Sequence, residues 1–203
     1  MPHDNATQRA VELSALAVHA ATDPQAFIDL YDLFFKRIYN YICARCTDPC
    51  TAGDLTAQVF ERLLSKIHQY NPQRGPFEPW LFAVARNTVN AHFRRRRLVW
   101  LPLELLNKEP AAGRTPEEQV IQADSQAELL NALAKLDDGA RDLLSLKFSA
   151  GLDSREMAAL TGLSESNVRV RLHRAIHRLR CVLNANDTVP ESLANPEIPN
   201  EKP

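Results

Sequence analysis

The sequence predicts an all-α fold in which two small helical domains are joined by a flexible linker. Apolar residues recur every three to four positions through most of the 203 residues, which is the spacing of helices with one buried face. No segment shows the alternation of apolar and polar residues that is typical of a β-strand. The expected order is an N-terminal extension (1–22), a first domain (23–97), a linker (98–124), a second domain (125–183) and a disordered tail (184–203).

The first domain is predicted to contain three long helices, after a shorter helix in the N-terminal extension. The expected helices are 8–20, 25–46, 54–68 and 78–97. Pro49 and Gly53 predict a break before the second long helix, and Pro79 is tolerated in the first turn of the third. The stretch NPQRGP (71–76) predicts a loop from its proline and glycine content. The residues expected to face inward in the first two long helices are Phe27, Leu30, Tyr31, Phe34, Ile38, Tyr41, Ile42, Leu55, Val59, Leu63, Leu64 and Ile67.

The second domain is predicted to end in a helix-turn-helix, after helices at 125–136 and 138–149. Asp153 and Glu156 have the spacing of a capping box, and Gly162 is placed to end that helix. Ser164 is expected to cap the following basic helix, whose apolar stripe is Val168, Leu172, Ala175, Ile176, Leu179 and Leu183. A capped basic helix after a glycine-containing turn is typical of a DNA-reading helix-turn-helix. A solvated arginine face on an ordinary bundle helix is the alternative.

The distribution of charge favours two DNA-facing modules, although the formal net charge is only −1. Residues 23–97 carry 11 basic and 7 acidic side chains, and residues 143–183 carry 7 and 3. Residues 98–142 carry 4 basic and 9 acidic side chains. Two basic blocks on an acidic connector therefore indicate contact with a polyanion at two places.

Residues 71–97 form a second candidate nucleic-acid interface. They combine aromatic rings and amides, which suit unstacked bases, with clustered arginines, which neutralise phosphates. Trp80 is expected in the core. The run from Arg94 to Arg97 is expected to contact phosphates, because four adjacent like charges repel each other unless an anion is near.

These segments together resemble an extracytoplasmic-function (ECF, group IV) sigma factor of the sigma-70 family of bacterial RNA polymerase. AFIDLYDLFFKRIYNYI (26–42) and DLTAQVFERL (54–63) resemble region 2, the latter its core-polymerase-binding helix. NPQRGPFEPWLFAVARN (71–87) resembles the loop and helix that open and read the minus-ten element, and residues 143–180 resemble region 4, which reads the minus-thirty-five element. The pairing of WLF-x-x-ARN with LS-x-S-x-V-x-x-R-L-x-R-A is more specific than a lone helix-turn-helix.

The resemblance implies three sets of site residues. The core-polymerase-binding set is Asp54, Leu55, Gln58, Phe60, Glu61 and Arg62. The set at the downstream promoter element is Asn71, Arg74, Phe77, Arg86, Asn87, Asn90, Arg94, Arg95, Arg96 and Arg97. The set at the upstream element is Ser166, Asn167, Arg169, Val170, Arg171, His173 and Arg174. Val170 stands where the family commonly has a small polar residue, so contact with a thymine methyl group is expected there.

The resemblance also implies the partners of the chain. These are promoter DNA, the clamp helices of the largest subunit of core RNA polymerase and the flap of its second-largest subunit. Many relatives are held inactive by an anti-sigma factor, so this partner is expected too. No cofactor is expected, and no enzyme motif with a phosphate-binding glycine loop, a serine elbow or HExxH is present. The chain shows neither a bilayer-length apolar run nor a signal peptide, which predicts a cytoplasmic protein without membrane insertion.

Two other hypotheses stay open from the sequence. A LuxR-type transcriptional regulator has a similar terminal helix-turn-helix, but residues 25–97 do not resemble the receiver or ligand domain that it would carry. A metal-responsive or redox-responsive sigma factor would use the compact cluster of Cys43, Cys46 and Cys50. Zinc prefers four ligands, and no histidine lies at a convincing spacing from these cysteines.

Overall fold

The computed structural model describes residues 3–46, 48–99 and 118–187, and within these ranges all regular secondary structure is helical. The helices are α1 (His3–His19), α2 (Pro24–Arg45), α3 (Pro49–Lys66), α4 (Phe77–Val99), α5 (Glu118–Ala134), α6 (Asp138–Phe148), α7 (Ser154–Thr161) and α8 (Glu165–Asp187). Two short 3₁₀ turns, Ile67–Gln69 and Pro72–Arg74, connect α3 to α4. The predicted all-α class is confirmed.

The break expected between Pro49 and Gly53 is wrong, because α3 begins at Pro49 and continues through Gly53. The carboxylate of Asp48 caps the helix and accepts hydrogen bonds from the backbone N–H groups of Cys50 (3.3 Å) and Thr51 (2.9 Å). Proline suits the first helical position, since its missing N–H has no partner inside a helix at that point. Glycine in a helix costs about 1 kcal/mol relative to alanine, a small amount that tertiary packing of α3 overrides.

Other helices are longer than the sequence predicted. α1 begins at residue 3 rather than 8, α5 begins at Glu118 rather than at 125, and α8 continues to Asp187 beyond 183. The expected linker therefore loses residues at both ends, because α4 also extends to Val99. Proline marks where a helix cannot continue, but it does not prevent a new helix from starting just after it. The remaining linker residues (100–117) and the tail from 188 lie outside the described residues.

The core of the N-terminal helices lies between α2, α3 and α4. Leu30, Phe34 and Ile38 of α2 are buried at helical spacing, as the sequence predicted, and Leu81 and Phe82 of α4 pack on them. Two predicted inward residues are instead on the surface: Leu64 is 60% exposed and Tyr31 is 38% exposed. The buried stripe of α3 is narrower than its sequence suggested: Leu63 and Ile67 pack into the core, and Leu64 between them points to solvent.

Helices α5 and α6 pack against α2, α7 packs against α4, and α8 packs on these three helices, so that one hydrophobic core runs through both halves of the chain. Arg37 of α2 donates hydrogen bonds to the carbonyl oxygens of Ser149 (3.4 Å) and Ala150 (2.5 Å) just after α6. Tyr41 is fully buried and donates to Asp142 of α6 at 3.0 Å. The sequence suggested two domains on a flexible connector and did not predict this contact. None of the described helices combines the length and apolarity that crossing a membrane requires.

Candidate nucleic-acid interface

The predicted helix-turn-helix is present as α7 and α8. Asp153 and Glu156 form a reciprocal capping box, in which each carboxylate accepts from the other residue's backbone N–H (2.8 and 2.9 Å). Gly162 ends α7 in the left-handed region (φ 74°), where glycine is favoured. The hydroxyl oxygen of Ser164 then accepts from the N–H of Asn167 at 3.3 Å, which caps the start of α8 as the sequence predicted.

The exposed face of α8 is basic and lies opposite its buried stripe of Val168, Leu172 and Ala175. Arg169 pairs with Glu165 at 2.6 Å, and Arg171 donates to Asn167 at 2.9 Å. These bonds span one helical turn and lay both guanidinium groups along the helix surface. The residues of the predicted upstream set on this exposed face are Ser166, Arg169, Val170, Arg171, His173 and Arg174. A helix with this face outward can lie in a major groove.

The loop between α3 and α4 has a defined shape. The side-chain oxygen of Asn71 accepts from the N–H of Gln73 at 2.9 Å and starts the 3₁₀ turn. Gly75 follows with a φ of 143°, which side-chain-bearing residues rarely adopt. Asn71 and Arg74 are both exposed, so the loop presents an amide and a guanidinium to solvent.

Helix α4 presents some of the predicted downstream residues and buries others. Asn87 and the three arginines Arg94–Arg96 are exposed, whereas Asn90 is half-buried and accepts from Arg45 at 3.3 Å. Phe77 was predicted to contact DNA, and this is wrong for direct contact because its side chain is fully buried. Its ring packs edge-on against Phe34, with centroids 5.7 Å apart. The side chain of Arg97 lies outside the described residues.

Arg86, also predicted in the downstream set, lies between the two halves of the chain. Its Nε donates to Asp142 at 2.8 Å, and its Nη1 donates to the carbonyl oxygen of Leu160 in α7 at 2.9 Å. Its side chain is 22% exposed. Arg86 therefore holds α4 against α6 and α7 in this arrangement, a role that its sequence context did not indicate.

A cleft of about 760 Å³ separates the loop and α4 from α7. Its lining includes Asn71, Arg74 and Asn87 on one side and Arg155 and Glu156 on the other. The pKa of Glu156 is raised overall, mainly because the side chain is partly buried. The nearby charges of Asp153 and Glu78 also raise it, and the hydrogen bond with the Asp153 backbone lowers it. The 71–76 loop and α4 thus face α7 across a cleft that contains both basic and acidic groups.

The predicted polymerase-binding residues of α3 divide between its surface and its core. Asp54, Gln58 and Glu61 are exposed and can meet a partner. Leu55 and Phe60 are 1% and 5% exposed, so their assignment as contact residues is wrong; they pack inside the N-terminal core. The repeat of Leu55, Val59 and Leu63 at helical spacing was the signal for this burial.

Arg62 is half-buried, and its Nη1 donates to the hydroxyl of Thr88 in α4 at 3.1 Å. This bond ties α3 to α4 and leaves Arg62 only partly available for a partner.

The cysteine cluster does not form a metal site in the described residues. Cys43 is half-buried, Cys46 is buried and Cys50 is exposed, and no group of three histidine, cysteine or acidic side chains there is arranged to hold an ion. Burial raises the pKa of Cys43, and it raises the pKa of Cys46 to about 11. A raised pKa lowers the reactivity of these two thiols, because the thiolate is the reactive form.

Sequence reasoning missed two residues that organise this surface. Asp142 is 6% exposed and ion-pairs with Arg45 and Arg86 from the other half of the chain. Tyr70 is 8% exposed and lies beneath the loop. The signal for Asp142 was its position among apolar residues of α6, where an unpaired carboxylate is unfavourable. No local pattern in the sequence pointed to its partners.

Comparisons with known proteins agree with the resemblance seen in the sequence. The model of sigma-70 region 2 matches residues 30–99, and the model of sigma-70 region 4 matches residues 126–179. The chain is 34% identical over 182 residues to the ECF RNA polymerase sigma factor BldN of Streptomyces coelicolor, covering 89% of this chain and 68% of that relative. It is 28% identical to the ECF RNA polymerase sigma factor RpoE of Cereibacter sphaeroides, covering 81% of this chain and 90% of that relative.

The fold is also similar to a solved structure. CnrH, in complex with the cytosolic domain of CnrY, superposes with a TM-score of 0.63 at 23% identity, covering 86% of this chain and 98% of that one. Helical order, the helix-turn-helix and the family matches lead to one conclusion. The chain belongs to the ECF sigma factors of the sigma-70 family, which direct RNA polymerase to promoters and start transcription.

Proposed function

We propose that three exposed surfaces of this sigma factor divide the work of promoter recognition. The basic face of α8 reads the upstream element, the 71–76 loop with α4 meets the downstream element, and the exposed face of α3 binds core polymerase. The observation that carries the proposal is the capped α8, which turns its arginines and His173 outward while its apolar stripe packs on the core. Region 2 then corresponds to residues 23–97 and region 4 to residues 125–183.

In this proposal the chain supplies recognition and the polymerase supplies catalysis. The chain acts in the cytoplasm and is not an enzyme. The flap of the second-largest subunit is the expected partner of the 125–183 domain. An anti-sigma factor is a further expected partner, as in many members of the family.

Replacing Arg174 with Ala is expected to weaken recognition of the upstream element by about 1–3 kcal/mol, the range for a good contact to a base edge. Arg174 is exposed on the outer face of α8, near its start. The measurement is run-off transcription by reconstituted holoenzyme on promoters with and without a strong upstream element. Arg180→Ala, an exposed arginine near the far end of α8, is the matched control and should have a smaller effect. Unchanged preference in Arg174→Ala would contradict the assignment of α8.

Replacing Asp54 with Arg is expected to weaken holoenzyme assembly at least tenfold with little change in thermal stability. Asp54 is exposed on α3, and surface charge changes usually alter folding by less than about 0.5 kcal/mol. Affinity for core polymerase is measured by fluorescence anisotropy, and melting by circular dichroism. Glu12→Arg, a charge reversal of equal size on the surface of α1, is the control and should assemble normally. Equal affinity of the Asp54 variant and the control would reject the docking surface on α3.

The 71–76 loop and the arginine run of α4 are expected to act differently on DNA. The loop presents Asn71 and Arg74 to bases, while Arg94–Arg96 lie exposed at the C-terminal part of α4 and suit phosphates. Phosphate contacts position DNA without reading its sequence, whereas contacts to base edges specify it. The arginine run should therefore set the salt dependence of binding, and the loop should set base preference at the downstream element.

A further inference from the structure

Helix α1 is bound to the N-terminal core, although it lies before the segment that matches region 2, which starts at residue 30. Leu13, Ala17 and Ala20 are at most 7% exposed and belong to the hydrophobic core. The helix contacts α2, α4 and the 3₁₀ turn that follows α3. Helix α1 therefore lies against the segment that leads into the 71–76 loop.

Helix α1 and this loop are connected through the hydroxyl of Tyr70, a residue that is 8% exposed. Its oxygen lies 3.0 Å from the carbonyl oxygen of Gly75 and 2.9 Å from the Oγ of Ser14 in α1. Tyr70 has a single hydroxyl proton and a carbonyl oxygen can only accept, so when both bonds form together Tyr70 donates to Gly75 and the hydroxyl of Ser14 donates to Tyr70. Burial raises the pKa of Tyr70, and its hydrogen bond with Ser14 lowers it. The bonds thus run in one direction, from α1 through Tyr70 to the loop.

The same tyrosine closes the loop at its base. Its ring packs edge-on against Phe77, the first residue of α4, with centroids 5.3 Å apart, and lies tilted against Trp80 with centroids 5.5 Å apart. Residues 70 and 77 flank the six loop residues, so this aromatic contact pins both ends. The Tyr70 bond to Gly75 adds a third point, on the backbone of a glycine with a φ of 143°. The exposed side chains of Asn71 and Arg74 thus belong to a loop whose backbone is held in place by Tyr70.

We infer that Ser14 and Tyr70 are positioning residues, which hold the 71–76 loop in the shape that reads the downstream promoter element. The inference rests on the proposed function of the loop. Helix α1 is then part of the reading unit and not a dispensable extension. A loop that is already ordered loses little conformational freedom when it takes up a base, and base selection is sharper because misplaced contacts are excluded.

The test compares holoenzymes containing the full chain with Ser14→Ala, Tyr70→Phe or both changes, on a promoter library randomised at the downstream element. Each single change should reduce the preference for the best downstream bases about three- to tenfold, the range for one or two hydrogen bonds. Upstream preference and affinity for core polymerase should not change. Because Ser14 acts through Tyr70, the double variant should equal Tyr70→Phe alone.

Two further variants separate positioning from plain stability. Ser14→Thr keeps the hydroxyl and should restore the preference that Ser14→Ala loses. Ser145→Ala removes a hydroxyl that bonds within α6 to the carbonyl of Arg141, and it should leave downstream preference unchanged at a similar loss of stability. If Ser14→Ala and Tyr70→Phe lowered transcription equally at every promoter without altering base preference, the positioning role would be wrong.

A change in the loop itself distinguishes this inference from the function on which it rests. Arg74→Ala removes an exposed loop guanidinium and leaves Tyr70, Ser14 and the bond between Asn71 and Gln73 intact. If this variant kept the wild-type downstream preference, the loop would not read DNA and the proposed function of the loop would fail. If it changed the preference while the Ser14 and Tyr70 variants did not, the loop would read DNA without help from α1.

Discussion

Replacing Asp142 with Ala is expected to lower the free energy of unfolding by about 3–5 kcal/mol, the usual cost of removing one partner from a buried ion pair. The carboxylate is buried, ion-pairs with Arg45 and with Arg86, and accepts a hydrogen bond from Tyr41 at 3.0 Å. Without it, the side chain of Arg45, which is 5% exposed, keeps its charge in the core with no counter-charge there. Urea unfolding followed by circular dichroism measures the loss.

Asp138→Ala is the matched control for this prediction. Asp138 is in the same helix, its side chain is 70% exposed, and it pairs with Arg141 one turn away. A surface pair of this kind contributes about 0–1 kcal/mol, so the control should unfold close to the wild-type urea concentration. If Asp142→Ala and Asp138→Ala unfolded together, the contact between the two halves of the chain would not stabilise the fold.

Replacing Phe77 with Ala is expected to cost about 3–5 kcal/mol of stability, the range for deleting a large buried side chain. Phe77 is fully buried between the rings of Phe34 and Tyr70, so the truncation leaves a cavity at the start of α4. Thermal and urea unfolding measure this effect.

Phe77→Leu is the conservative control and should lose less stability, because it refills part of the cavity. A Phe77→Ala protein with wild-type stability but altered downstream base preference would show that the ring contacts DNA after all. The pair of variants therefore decides between a core residue and a base-contacting residue at this position.

Local signals in the sequence predicted local structure well. The capping box of Asp153 and Glu156, the end of α7 at Gly162 and the cap at Ser164 each depend on residues within a few positions of one another. The buried stripe of α8 depends on helical spacing alone, and it is buried as predicted at Val168, Leu172 and Ala175. Such features follow from backbone geometry and hydrogen bonding inside one helix, which a sequence contains in full.

Features that depend on distant partners were not predictable in the same way. Asp142 lies 56 positions from Arg86 and 101 positions from Tyr41, and only the folded chain brings these groups together. The same dependence on distant partners explains why some residues predicted for the candidate site are buried. The family pattern places Leu55, Phe60 and Phe77 in functional segments, but packing between α2, α3 and α4 decides which face of each helix is buried. A motif identifies the segment, and the tertiary fold decides which of its side chains can reach a partner.

The position of Arg86 links two equilibria that are usually considered separately. Its Nε and Nη1 are engaged by Asp142 and by the carbonyl of Leu160, so a state in which Arg86 offers these two donors to a phosphate is one in which α4 has parted from α6 and α7. Packing of α4 against α6 and α7 and binding of DNA through this arginine then compete for the same donors. The apparent dissociation constant rises as the open fraction falls, by a factor of ten for each ~1.4 kcal/mol that favours the packed form. A substitution that loosens the packed form at Asp142 would thereby lower the stability of the free chain and raise its apparent affinity for DNA at the same time.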